Sequence, residues 1–207
     1  METRLSYFDV YLELPADLLE QAFALNRRVV SFAGGGIDFD AGRIPHITLY
    51  MGLFPEAERA AIVRELKTVG AETPPLPIIL REIETSRDGY VFWKVVADES
   101  LLRLHERVVM ALNPMRRGAV REKYLEDQER FTKEECLYIM KYGFPWVMNR
   151  YRPHVTVGHL REGATEAAES LGCPEARGEA SRIVLGSVGE HGVILEAYET
   201  FPLTGSM

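Results

Sequence analysis

The chain has 207 residues, 46% of them hydrophobic and 27% charged, with a formal net charge of −7, and is long enough to bury a core of its own. That negative balance excludes a protein that coats long nucleic acid through bulk charge, because neutralising phosphates takes clustered Lys and Arg; a small anion met by a local basic patch stays open. No apolar run approaches the roughly 18 residues of a membrane span, the opening METRLSYFDV has no apolar secretory segment, and Cys136 and Cys173 share no metal-ligand spacing, so a reduced, cytoplasmic protein is expected.

Residues 5 to 14 alternate as a strand, with Phe8, Val10, Leu12 and Leu14 on one face and Tyr7, Asp9, Tyr11 and Glu13 on the other. Pro15 and Asp17 suit the first turn of an amphipathic helix reaching about Phe32, which the run Gly34-Gly35-Gly36 stops. The strand holding His46 follows, then a helix from about Pro55 to Val69, which Pro74, Pro75 and Pro77 end. LPIILREIET and YVFWKVVAD read as two strands of a hairpin joined through Ser86 to Gly89. A long helix runs from near Glu99 to Asn113-Pro114, and residues 115 to 149 are polar and helical in two pieces, the second KEECLYIMKYG. After the strand holding His154 come a short helix around Ala164 to Leu171 and a closing strand pair, ASRIVLGSVG and GVILEAYETFPL.

The two halves share one order of elements. The strand at 5 to 14 matches that at 89 to 97, His46 matches His154, and the strand near 76 to 86 matches that near 180 to 188. The repeat is too long for a solenoid, whose units run about 20 to 50 residues, and it suggests two similar lobes facing one another, with 115–149 inserted in the second.

The closest likeness between the halves lies in RIPHITLYMG and RYRPHVTVGHL. Residues two apart on a strand share a face, so His46, Thr48 and Tyr50 point one way, against Ile47, Leu49 and Met51. Likewise Arg152, His154 and Thr156 stand against Val155 and Val157, and His159 is expected on the face opposite His154. A single strand histidine is most simply a residue satisfied by a neighbour; two matched Pro-His-apolar-Thr-apolar segments demand more. Two imidazoles suit proton transfer on both sides of one bond, and a hydroxyl beside each suits an anionic oxygen. Metal-ligand spacing is absent. His105 and His191 read as ordinary helix and turn histidines.

His46-Ile47-Thr48-Leu49 and His154-Val155-Thr156-Val157, in a duplicated chain, resemble the motifs of the 2H phosphoesterase superfamily, which includes bacterial 2′-5′ RNA ligases and cyclic nucleotide phosphodiesterases. KYGFPWVMNRYRPHVTVGHL is also similar to the branch associated with phosphonate-metabolism operons. The resemblance implies a single α+β domain over 1–207, bilobal and duplicated, with two antiparallel sheets, helices outside, and a central groove carrying one His-x-Thr from each lobe. It implies opening of a 2′,3′-cyclic phosphate or related small nucleotide or ribosyl phosphodiester without metal or other cofactor. His46 and His154 would be the acid/base pair, in an order left open, and Thr48 and Thr156 would bind phosphate.

Arg152 shares the face of His154 and suits phosphate neutralisation, or is a solvated surface arginine. Tyr50, where the other repeat has Gly158, would offer a wall for a base to stack upon. Tyr7, Tyr11, Phe92 and Trp93 lie on neighbouring strands, where aromatics are more often core, and Trp93 and Lys94 cannot both face the groove. Two rivals are a nucleotide or RNA-end binding module without turnover and a 2′-5′ RNA ligase acting on RNA termini. A monomer is expected, with 115–149 either a solvated helical face or a lid over the groove.

Overall fold

The computed structural model describes residues 4–33, 36–160, 172 and 175–206. Among the described residues eight strands, β1 (Leu5–Glu13), β2 (His46–Pro55), β3 (Leu76–Thr85), β4 (Tyr90–Val95), β5 (His154–His159), β6 (Ala176–Ala180), β7 (Arg182–Val188) and β8 (Ile194–Pro202), form two antiparallel sheets. Their orders are β2-β1-β7-β8 and β5-β4-β3-β6. The expected correspondences hold: β1 sits in one sheet where β4 sits in the other, β2 where β5 does, and β7 where β3 does. The edges β2 and β5 pack against each other, which brings the two histidine strands side by side.

The lobes are not the two halves of the chain. β7 and β8 come from the C-terminal end and complete the sheet begun by β1 and β2, while the other sheet is built from the stretch between. β6, ARGEA, is absent from the sequence expectation because it is short, carries no apolar run and sits at an edge, paired only with β3.

The helices cross between sheets as well. α1 (Ala16–Ala33) follows a strand of the first sheet and packs on β5 and β6 of the second. Leu18, Ala22, Leu25 and Val29 recur at helical spacing and are buried, giving the stripe that an amphipathic helix needs. The approach is so close that a Cβ at Gly158 would stand 2.4 Å from Val29 Cγ1. Conversely α3 (Glu99–Leu112), capped by Asp98 Oδ1 accepting from Leu101 N at 2.8 Å, packs on β2. α2 (Arg59–Glu72) covers β7 and β8.

Within 115–149 lie α4 (Glu122–Glu126) and α5 (Lys133–Tyr142), the latter opened by a Thr132/Glu135 capping box and closed by Gly143 at φ 76°. At positive φ a glycine carries no Cβ penalty. The helix expected at 164 to 171 lies outside the described residues. Among the described residues no helix is long and apolar enough to cross a membrane.

Candidate active site

His46 opens β2 and His154 opens β5, each directly after a proline. In each, Nδ1 lies against the carbonyl of the residue two before it, Ile44 O at 2.8 Å and Arg152 O at 2.7 Å. A carbonyl only accepts, so Nδ1 carries a proton in both rings and Nε2 is left as the nitrogen that exchanges protons. An aromatic ring from the adjacent strand backs each imidazole, Tyr11 at 5.0 Å from His46 and Phe92 at 4.1 Å from His154. The same two aromatics pair in register with Thr48 and Thr156. The surrounding walls desolvate His154 and lower its pKa to about 4; His46 pushes the same way, and the Arg152 carbonyl and Glu84 oppose.

Both histidine strands carry a β-bulge directly after the threonine. β1 meets β2 as Tyr11↔Thr48 and then Val10↔Tyr50, leaving Leu49 unmatched, and β4 meets β5 as Phe92↔Thr156 and then Val91↔Gly158, leaving Val157 unmatched. An inserted residue reverses the alternation beyond it, and two expectations fall for this one reason. Tyr50 is turned to the helix side, 1% exposed, its hydroxyl donating to Tyr142 O at 2.8 Å, with Asn113 Oδ1 at 3.1 Å. It does not wall the groove, and Gly158 differs from it because α1 leaves no room there. His159 is returned to the side of His154, against Tyr90 at 4.6 Å, whose ring stacks on Phe92.

The carbonyl of each unmatched residue is taken by a buried side chain from the crossing helix. Asn26 on α1 donates to Val157 O at 3.0 Å and accepts from Phe39 N at 3.0 Å, in the segment leading to β2. His105 on α3 holds Leu49 O at 2.6 Å through Nδ1, while its Nε2 accepts from Met148 N at 2.7 Å, in the segment leading to β5. His105 is therefore more than an ordinary helix histidine: it is 0% exposed, and burial lowers its pKa to about 4 against the pull of the Leu49 carbonyl. Its ring stacks at 3.7 Å on Tyr151, whose hydroxyl donates to Thr48 O at 2.8 Å.

Asp9 is a site residue that lies outside both histidine motifs. It is 0% exposed, its Oδ2 accepts from Thr48 Oγ1 at 2.7 Å, and the same oxygen lies 3.3 Å from His46 Nε2. Oδ1 is buried without a hydrogen-bond partner among the described residues. Burial raises the Asp9 pKa, outweighing His46 and Thr48, which act to lower it. The available signal is an acidic residue in mid-strand on the face that also carries Tyr7 and Tyr11.

The other expected residues divide. Tyr11 is buried against His46 and joins Val184 and Ile194 in a small apolar cluster. Tyr7, further along the same face, lies under the Arg121 guanidinium at 4.0 Å, and burial pushes its hydroxyl well above the usual range. Trp93 does not line the groove: it is 0% exposed in the core, because its parity is opposite to that of Phe92. Lys94 is the groove-side residue of that pair, in register with His154 and held by Glu82 at 3.2 Å and Glu84 at 3.3 Å. Arg152 meets His154 through its main chain; its side chain is exposed and lines a shallow depression with Glu134, Asn149, Arg150 and Tyr151. Among the described residues no three His, Cys, Asp or Glu side chains gather as a metal-binding group.

A family model described as the 2'-5' RNA ligase superfamily matches residues 34–191. The chain belongs to the 2'-5' RNA ligase superfamily. The crystal structure of TT0787 of Thermus thermophilus is 18% identical, over 97% of this chain and 100% of that one, with a TM-score of 0.65. E. coli LigT in its apo form is 13% identical over 98% and 99% of the two chains at a TM-score of 0.58, and a protein described as a phosphoesterase is 12% identical over 96% and 99% at 0.51. At such identities the likeness to these structures is one of fold. No curated protein matches the sequence. The duplicated α+β architecture is thus that of the 2H phosphoesterases.

Proposed function

We propose that this member of the superfamily is a metal-independent hydrolase that opens a 2′,3′-cyclic phosphate or a related small nucleotide or ribosyl phosphodiester. The observation that carries the reading is the pair of imidazoles at the starts of two abutting edge strands, each fixed through Nδ1 to a backbone carbonyl and each followed two residues on by a threonine. One Nε2 takes a proton from an attacking water and the other gives one to the leaving ribose oxygen, which is acid–base catalysis at both ends of the displaced bond. Thr48 and Thr156 hold the phosphoryl oxygens. LigT has been crystallised with phosphate and with 3'-AMP, which supports a small nucleotide as the ligand class here.

The same reading takes residues 1–207 as one working unit, monomeric and cytoplasmic, with 115–149 as a lid. Support for the lid comes from its reach to both sheets, Arg121 over Tyr7 of β1 and Arg130 3.7 Å from Asp88 in the β3–β4 turn. Ligation of RNA ends is disfavoured by the net charge of −7, which opposes a second RNA terminus. The test is a panel of 2′,3′-cyclic nucleotides, ribosyl cyclic phosphates and 2′-5′ oligoadenylate in EDTA. Ring opening of a cyclic phosphate is expected; binding without turnover across the panel would make the protein a binding module.

A further inference from the structure

We infer that Asp9 is the proton-holding partner of His46, so that the His46–Asp9 pair protonates the leaving oxygen while His154 takes the proton of the attacking water. This rests on the two-histidine reading above and adds to it a third residue and a direction.

Nδ1 of His46 is committed to Ile44 O, so Nε2 and Asp9 Oδ2, 3.3 Å apart in a buried site, would oppose lone pair to lone pair unless a proton lies between them. The pair keeps that proton because Asp9 is fully buried, and an unshared carboxylate there would set the one donated bond from Thr48 against its desolvation cost. The contact is also longer than a direct charge-assisted bond of about 2.7–2.9 Å. The proton is held but not locked, and an oxygen entering the groove can take it.

The second histidine lacks this device. In register Asp9 corresponds to Tyr90, whose hydroxyl is 2.9 Å from His191 Nδ1. Among the described residues no carboxylate lies within ion-pair distance of His154, and the nearby Glu82 and Glu84 are held by Lys94. The pKa directions agree: burial raises Asp9, and His154 at about 4 is an unprotonated imidazole at neutral pH. The groups that face Asp9 are His46 and Thr48 from β2, Tyr11 on its own strand and Tyr151 ahead of β5. Opposite it on β7 stands Gly186, and no Lys or Arg is paired with it among the described residues.

In the step itself the water oxygen bonds to phosphorus and its proton passes to His154 Nε2. The bond from phosphorus to the leaving ribose oxygen breaks, and that oxygen takes the proton of the pair. His154 then loses its proton to solvent and the pair gains one, so the net change is addition of water.

Asp9→Asn keeps the side-chain shape and removes the shared proton. On a 2′,3′-cyclic nucleotide it should lower kcat about a hundredfold, with KM within about twofold, and move the alkaline limb of the pH profile to lower pH. On a nitrophenyl phosphodiester, whose leaving group needs no proton, the loss should shrink to about threefold or less. Equal losses on both substrates, or none, overturn the inference. A second measurement needs no turnover: NMR titration of the Asp9 carboxyl carbon should find it above the ordinary carboxylate range and higher still in His46→Ala. A midpoint unmoved by His46→Ala also overturns it. Failure of the two-histidine reading looks different, since His46→Ala and His154→Ala would then leave turnover unchanged.

Discussion

Asn26 holds the carbonyl of Val157 at 3.0 Å, and Val157 is the one residue by which β5 outruns its partner strand. The bond fixes where β5 kinks after Thr156, and so the angle at which His154 and Thr156 meet the groove. Asn26→Ala strips partners from Val157 O, Ile37 O and Phe39 N together, and each buried orphan costs about 1–3 kcal/mol. A lowered thermal midpoint and a lowered kcat are expected in the same variant. Asn26→Asp should be at least as damaging, because it sets a carboxylate oxygen against two carbonyls; calorimetry of both variants checks the order.

His105 has the matching task at Leu49, and its folded pKa of about 4 lies below its ordinary value of 6.5. A depressed histidine contributes stability that is present above the unfolded value and is lost as pH falls through the folded one. Stability should therefore decline between pH 6.5 and 4, by on the order of 3 kcal/mol from this residue, with His154 adding in the same direction. Denaturant unfolding of the wild type and of His154→Ala across that range separates the two shares; a decline should remain in the variant.

His46→Ala and His154→Ala should each lower kcat by several orders of magnitude with the fold intact, and EDTA should leave the wild-type rate alone. Loss of one donor to a charged oxygen costs about a hundredfold or more in kcat, so Thr156→Val should fall in that range. Thr48→Val should change the pH profile as well, because the one proton of the Thr48 hydroxyl goes to Asp9 in the free site.

Gly158→Ala would put a methyl 2.4 Å from Val29 Cγ1. Overpacking of this kind costs about 1–3 kcal/mol. Pairing it with Val29→Ala should recover much of the loss, and a double-mutant cycle in urea measures the coupling.

Arg121 lies over Tyr7 from the 115–149 segment. Arg121→Ala should raise KM for nucleotide substrates with little change in kcat or in thermal midpoint. A large fall in the midpoint with KM unchanged would reduce that contact to packing.

Strand periodicity makes much of the site legible in the sequence. Period-two alternation puts His46 with Thr48 and His154 with Thr156, and the shared order of elements matches β1 with β4 and β2 with β5 across the repeat. It fails beyond Leu49 and Val157, because no residue type there announces an inserted residue and the cause is a helix side chain far off in sequence. Asp9 escaped for a related reason. An acid on the polar face of a strand reads as solvated, and only the closing of β2 and β7 over β1 removes its water.

The exchange of strands between lobes bears on how the chain is made. The sheet holding His46 lacks β7 and β8 until residues 182–202 have been made, so its pairing is of high contact order and belongs to the slow end of folding. A nascent chain bearing the first motif is not yet half an enzyme, and cutting between the repeats would not yield two lobes. The groove between β2 and β5 is therefore completed only when residues on both sides of the repeat have come together.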